Sequence, residues 1–150
     1  MNVHFIEGSD SFGTKVVGSS YFTENFLSIV GPKKEDSYCM FTEAFLRLEN
    51  NNPYDPNAVC VLIDGLKVGY LSRNHALLHR FYVQGLDCSF CVCKAKIIGG
   101  WKNSNGCEGH FGVNLDIAYT DIENSLSGLF HQKARIYNLK PELMNEKIGF

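Results

Sequence analysis

Residues 50–71 have the sequence NNNPYDPNAVCVLIDGLKVGYL and carry the strongest structural signals in the chain. The apolar, β-branched run 58–63 predicts one strand, and residues 66–71 predict a second. Asp64-Gly65 between them is typical of a two-residue hairpin turn. The stretch therefore predicts an antiparallel hairpin that follows a loop at residues 50–58.

The loop before the hairpin is unusually constrained. Pro53 and Pro56 fix their own φ angles and favour an extended backbone at Asn52 and Asp55. The Asn and Asp side chains are expected to hydrogen-bond the nearby backbone, and Tyr54 is expected to point outward. A stiff loop that presents an aromatic ring, a carboxylate and several amides is a candidate recognition surface. The alternative is an ordinary turn between two strands.

The remaining pattern predicts a mainly β protein with short helices (α+β). Thr23 can cap a short helix that stops at Gly31, and Ser72 can cap a helix over residues 73–84. On this second helix, Ala76, Leu77, Arg80 and Phe81 fall at helical spacing. Further strands are predicted at residues 14–20, 40–48, 88–98 and 110–117. Many short strands with few helices indicate a small closed or partly closed barrel.

The motifs of this chain resemble those of the HIRAN domain. Residues 52–71 match its NPYD-x-NA loop, its hairpin and its VG-aromatic-L ending. Residues 16–22, VVGSSYF, resemble its first strand with the aromatic pair. Residues 98–101, IGGW, and residues 109–116, GHFGVNLD, resemble the closing strands of bacterial members. The resemblance covers roughly residues 14–118 and implies a small OB-like β-barrel.

This resemblance implies a non-catalytic module, without a cofactor, that grips the 3′ end of single-stranded DNA. In the family, two tyrosines stack on bases, and a loop aspartate accepts a hydrogen bond from the terminal 3′-hydroxyl. Matched by position, these roles fall on Tyr21, Tyr54 and Asp55. Two positions depart from the eukaryotic pattern, because Ser20 replaces a basic residue and Tyr70 replaces a histidine. The implied DNA-binding residues are Tyr21, Phe22, Asn52, Tyr54, Asp55, Asn57, Tyr70 and Arg73.

Composition limits the class of protein. With 150 residues and 45% hydrophobic content, the chain is expected to form one globular domain. We expect an N-terminal arm or short strand at 1–13, the barrel at 14–118, and a C-terminal extension at 119–150 packed on the same domain, with a helix capped by Thr120. The net charge of −2 indicates that any nucleic-acid site is small and local. Neither a membrane-spanning run nor a signal peptide is visible, so a cytoplasmic location and no membrane partner are expected.

Cysteine and histidine spacing raises the alternative of a metal site. Cys88 and Cys91, with Cys107 and His110, have the spacing of two zinc knuckles. In a strand, however, Cys88 and Cys91 would point to opposite faces, so free thiols and no bound metal are expected. His75 and His79 are expected on the helix surface, and Ala76 stands where a zinc protease needs its glutamate. The sequence contains no recognisable catalytic motif.

Three functional hypotheses follow. The first is a binding module for single-stranded DNA ends, acting alone or through a helicase or nuclease partner protein. The second is a protein-interaction module on the same barrel that has lost DNA binding. The acidic net charge and Ser20 favour this second hypothesis, whereas the intact loop at residues 52–55 opposes it. The third is a small metal-dependent enzyme that uses the Cys/His set.

Overall fold

The computed structural model describes residues 2–86, 88, 90–119 and 122. These residues form seven strands and two α-helices: β1 (Val3–Phe5), β2 (Thr14–Lys15), α1 (Thr23–Val30), β3 (Tyr38–Leu48), β4 (Val59–Ile63), β5 (Leu66–Tyr70), α2 (Arg73–Gln84), β6 (Phe90–Gly99) and β7 (Phe111–Leu115). A short 3-10 helix, Ser19–Phe22, precedes α1. The helix predicted to begin at Thr120 lies outside the described residues.

The strands form one curled, mostly antiparallel sheet. Its order is β2-β7-β6-β3-β4-β5, and β1 pairs in parallel with β6. The two ends of this order meet, because Val17, just after β2, pairs with Tyr70 at the end of β5. Each of these residues donates its backbone N–H to the other's carbonyl, at 2.8 and 2.9 Å. This closure confirms the predicted mainly β fold with short helices and its small barrel.

The hairpin predicted from residues 58–71 is confirmed. β4 and β5 pair antiparallel around Asp64 and Gly65, whose φ angles are 52° and 77°. These positive angles give the turn the twist that a tight hairpin requires. Near its end, Gly69 has a φ of 152°, and a Cβ there would meet the Val16 side chain and lie 2.6 Å from the Val17 carbonyl oxygen. The absence of a side chain at Gly69 therefore allows the two ends of the sheet to approach.

The core lies between the inner faces of the sheet and the two helices. Ala44 and Leu46 of β3 point inward, as do four residues of β6: Cys91, Cys93, Ala95 and Ile97. From α1, the fully buried Phe26 stacks on Phe111 with ring centroids 5.0 Å apart. The alternate residues of β3 point outward, so the strand has one buried and one exposed face.

The first predicted strand is shorter than expected. Residues 14–20 were predicted to be extended, but β2 ends at Lys15, and only the Val17 bridge continues the pairing. Gly18 then adopts the left-handed conformation with φ 76°, and the chain turns into the 3-10 helix. Ser19 is buried and donates its hydroxyl to the Val68 carbonyl at 2.9 Å. This buried hydrogen bond favours the turn over a longer strand.

The prediction that His75 and His79 lie on the surface is wrong. His79 is only 1% exposed, and His75 is half-buried with its ring stacked on Tyr119 at 4.6 Å. The helix bounds 73–84 and the Ser72 cap are confirmed, since the Ser72 hydroxyl accepts from the His75 N–H. The most buried residues of α2 are Ala76, Leu78 and His79, so the helix is rotated from the face predicted through Leu77 and Arg80.

Candidate nucleic-acid interface

One cleft of about 750 Å³ opens where the 50–58 loop, the 3-10 helix and the end of β5 meet. We call it the Tyr54 cleft. Seven of the eight residues predicted to bind DNA line it: Tyr21, Phe22, Asn52, Tyr54, Asp55, Tyr70 and Arg73. Asn57 does not line the cleft. Its backbone N–H donates to the Asp55 Oδ1, and its carbonyl accepts from Arg80. The fold thus brings together residues that lie as far apart in sequence as Tyr21 and Arg73.

The loop is held by its own side chains, as predicted. The Asn52 Oδ1 accepts from the backbone N–H groups of Tyr54 and Asp55, at 2.8 and 3.1 Å. The Asp55 Oδ1 accepts from the N–H of Asn57 at 2.9 Å. These hydrogen bonds fix the loop without requiring a core beneath it. Since only one Asp55 oxygen is used by the loop, the carboxylate retains capacity to accept further hydrogen bonds in the cleft.

Arg80 of α2 ties this loop to the barrel, a role that sequence analysis did not predict. Its guanidinium donates to the Asn57 carbonyl at 2.6 Å, to the Ala58 carbonyl at 2.8 Å and to the Asn50 Oδ1 at 2.8 Å. Arginine suits this position because its rigid fork can serve several acceptors at once. The loop therefore has an external clamp in addition to its internal hydrogen bonds.

The two tyrosines matched to base stacking are presented to solvent. Tyr21 is 87% exposed and Tyr54 is 86% exposed. Tyr21 projects from the 3-10 helix, and Tyr54 projects from the clamped loop. Phe22 and Tyr70 lie deeper and are half-buried, with ring centroids 6.3 Å apart. Core packing accounts for the deeper pair but not for the two exposed tyrosines.

Glu49 is a second cleft residue that sequence analysis missed. Its carboxylate accepts from Lys67 Nζ at 2.7 Å, from the Tyr70 hydroxyl at 2.8 Å and from Asn52 Nδ2 at 2.9 Å. Burial raises the pKa of Glu49, but these hydrogen bonds outweigh it and lower the pKa to about 2. Burial likewise opposes the charge on Lys67, yet its bonds to Glu49 and Tyr70 raise the pKa of that ammonium.

This network connects the loop to β5 and sets the charge of the cleft. Glu49 and Lys67 are both ionised at neutral pH and neutralise each other. Asp55 and the exposed Arg73 remain as the other charged groups that line the cleft. The resulting surface is rich in aromatic and hydrogen-bonding groups and close to neutral, which suits contact with bases more than with many phosphates.

Cys88 and Cys91 are neighbours, so the expectation that they point to opposite faces is wrong: β6 begins at Phe90, and Cys88 lies before the strand. Cys91 is buried in the core, and burial together with neighbouring Cys88 raises its pKa to about 12. Cys107 is exposed in the turn where Asn103 Oδ1 accepts from its N–H. Within the described residues, no three His, Cys, Asp or Glu side chains are placed to hold a metal ion. In the same part of the chain, no helix is long and apolar enough to cross a membrane.

Comparison with known proteins identifies the family of this chain. The model of the HIRAN domain family matches residues 9–103, more than half of the chain. The chain therefore belongs to the HIRAN domain family, whose members are known generally as DNA-binding modules.

Among solved structures, the crystal structure of the HIRAN domain of human HLTF is similar to this chain. The two are 19% identical, the match covers 78% of this chain and 85% of that one, and the TM-score is 0.36. No curated protein matches the chain significantly.

Proposed function

We propose that this protein binds single-stranded DNA and recognises its 3′-hydroxyl end in the Tyr54 cleft, without performing chemistry on the strand. The observation that carries the proposal is that two nearly fully exposed tyrosines, Tyr21 from the 3-10 helix and Tyr54 from the loop, line one cleft. Stacking of a base on an aromatic ring contributes about 1–3 kcal/mol and tolerates any base. Membership of a DNA-binding family supports the same conclusion.

Asp55 supplies the distinction between an end and the interior of a strand. An ionised carboxylate is acceptor-only, so a terminal hydroxyl is a suitable donor to it. A terminal phosphate at the same place would bring two negative charges together beside half-buried groups. Lost hydrogen bonding and added repulsion together cost on the order of 1–3 kcal/mol, roughly ten- to a hundredfold in affinity.

The test is fluorescence anisotropy with short strands that carry either a 3′-hydroxyl or a 3′-phosphate. The wild type is expected to prefer the hydroxyl, with a shallow salt dependence because few cations line the cleft. Tyr54→Ala should lower the affinity for both strands by the same factor. Asp55→Asn keeps an acceptor for the Asn57 N–H but replaces a charged oxygen with a donor, so it should abolish the preference and leave the binding that comes from stacking on the tyrosines.

Two results would contradict the proposal. Equal wild-type affinity for both ends would refute the role of Asp55. Failure to bind any strand would favour the second hypothesis, a protein-interaction module, which the net charge of −2 and Ser20 also support. In that case, a helicase or nuclease partner protein would be tested for binding to this barrel.

A further inference from the structure

The outer face of β3 carries large aromatic side chains that the core does not use. Phe41 is 65% exposed and Phe45 is 38% exposed, whereas the alternate residues Ala44 and Leu46 fill the core. Phe45 belongs to an apolar row, since its cross-strand neighbours are Val92 and Leu62. Glu43 lies between the two rings on the same face of β3. Two large exposed rings on one face of a strand indicate a contact surface more often than a single apolar residue does.

Cations lie in the row of residues that contains Phe41. Phe41 lies opposite Lys96, Lys96 lies opposite Asn114, and Asn114 lies opposite Lys15, so one row crosses four strands on the outer face. The Lys96 Nζ lies 5.4 Å from the Phe12 ring centroid and 6.0 Å from that of Phe41. This arrangement interleaves basic and aromatic groups, the combination that proteins use to hold single strands.

The charged groups of this face are unevenly distributed. The cations Lys15, Arg47, Lys94 and Lys96 share the outer face with Glu43, which lies opposite Lys94. Asp10 adds one more carboxylate, paired with Lys94 at 3.0 Å. Asp116, opposite Lys94 beyond the end of β7, and Glu7 also place negative charge near Lys94. The uncompensated positive charge therefore lies at Lys96 next to Phe41, at Lys15 further along the same row, and at Arg47 next to Phe45. Cations next to exposed rings favour a polyanion over an apolar protein surface.

The face is continuous with the Tyr54 cleft. Arg47 of β3 lies opposite Cys60 of β4, and Cys60 lies opposite Tyr70 of β5, which lines the cleft. From Arg47 the outer-face positions of β3 continue through Phe45 and Glu43 to Phe41. At about 3.3–3.4 Å per residue, the six residue-to-residue steps from Arg47 to Phe41 span about 20 Å. A strand that leaves the cleft beside Tyr70 therefore meets Arg47 first and the two phenylalanines next.

We propose that this outer face, which we call the β3 platform, binds the single-stranded DNA on the 5′ side of the end held in the cleft. The platform consists of Lys15, Phe41, Phe45, Arg47, Lys94 and Lys96. The inference rests on the proposed function, because the cleft must first hold a 3′ end. Phe41 and Phe45 stack on bases without selecting a sequence, and the surrounding cations contact phosphates. The platform extends a short, end-specific site into a longer, sequence-tolerant one.

The experiment compares strands of 4 and 12 nucleotides, each with a 3′-hydroxyl, by fluorescence anisotropy on the full chain. The wild type is expected to bind the 12-mer about tenfold more tightly than the 4-mer, with a steeper salt dependence. The double variant Phe41→Ala/Phe45→Ala should bind the 4-mer as the wild type does and lose the advantage of the 12-mer. Lys96→Glu should reduce 12-mer binding alone and flatten its salt dependence.

A matched control removes an exposed apolar side chain elsewhere. Leu27 on α1 is 40% exposed and lies outside the platform, so Leu27→Ala should keep the length dependence. Nuclear magnetic resonance mapping on the wild type gives a second measurement that requires no variant to fold. The 12-mer should shift the amide signals of Phe41 and Phe45, and the 4-mer should leave them unchanged.

The outcomes distinguish failure of the platform proposal from failure of the proposed function. Equal wild-type affinity for both lengths, with the hydroxyl preference retained, would overturn the platform and leave the proposed function standing. The platform proposal would also be wrong if the double variant still bound the 12-mer more tightly than the 4-mer. It would likewise be wrong if the 12-mer left the amide signals of Phe41 and Phe45 unchanged. If the wild type binds neither strand, both proposals fail. If the double variant only dissociates a dimer of this chain, the face is a self-association surface and the platform is wrong.

Discussion

Acidification should destabilise this protein through His79, and the size of the effect can be worked out from its surroundings. His79 is 1% exposed, and its Nδ1 has no hydrogen-bond partner among the described residues. Burial, together with the neighbouring Arg80 charge, lowers the pKa of His79 to about 4 from its ordinary value of 6.5. The folded protein therefore binds fewer protons than the unfolded chain between these two values.

The sign and magnitude follow from this difference in proton binding. The contribution of neutral His79 is fully present above pH 6.5 and is lost as the pH falls from 6.5 toward about 4. At about 1.4 kcal/mol per pH unit, the free energy of unfolding should fall by about 3 kcal/mol across this window. Glu49 contributes at lower pH, because its pKa is lowered to about 2 from 4.5.

Urea unfolding at a series of pH values from 7.5 to 4, followed by the fluorescence of the single tryptophan, Trp101, measures this effect. His79→Leu removes the titrating group and should flatten the pH dependence relative to the wild type by about 3 kcal/mol. His110→Leu changes an exposed histidine and should keep the wild-type slope. Half-buried His75 contributes in both variants, so it cancels in the comparison. Identical slopes for wild type and His79→Leu would refute the assignment.

Two further predictions concern the loop clamp and the sheet closure. Arg80→Met removes three hydrogen bonds to the 50–58 loop. It should lower the affinity for 3′-hydroxyl strands, measured by anisotropy, roughly tenfold, while the barrel still unfolds cooperatively. Unchanged affinity would mean that the loop needs no clamp. Gly69→Ala places a Cβ against Val16 and the Val17 carbonyl at a positive φ, so urea unfolding should report a loss of about 2 kcal/mol or more. Gly65→Ala is the matched control, because Gly65 also has a positive φ but has open space around its Cβ. An equal loss of stability in Gly65→Ala would show that backbone strain at a positive φ, and not the close approach of the two sheet ends, is responsible.

Local sequence determined much of the fold. The hairpin around Asp64-Gly65, the helix over residues 73–84 and the inward face of β6 depend on turn chemistry, capping and period-two alternation, which act over a few residues. The internal hydrogen bonds of the loop around Asn52 could be predicted for the same reason. The resemblance to HIRAN domains predicted the site residues, and seven of these eight residues line the Tyr54 cleft.

Tertiary structure decided which of these local features meet. The end of β2 could not be predicted from its apolar run, because a buried bond from Ser19 to Val68 in a distant strand determines where the chain turns. Glu49 and Arg80 looked like ordinary polar residues until the fold placed them against the loop. His79 was assigned to the surface because helical periodicity fixes which residues share a face but not which face is covered. That choice depends on long-range packing between elements, whose free energy outweighs the preference of one imidazole for water.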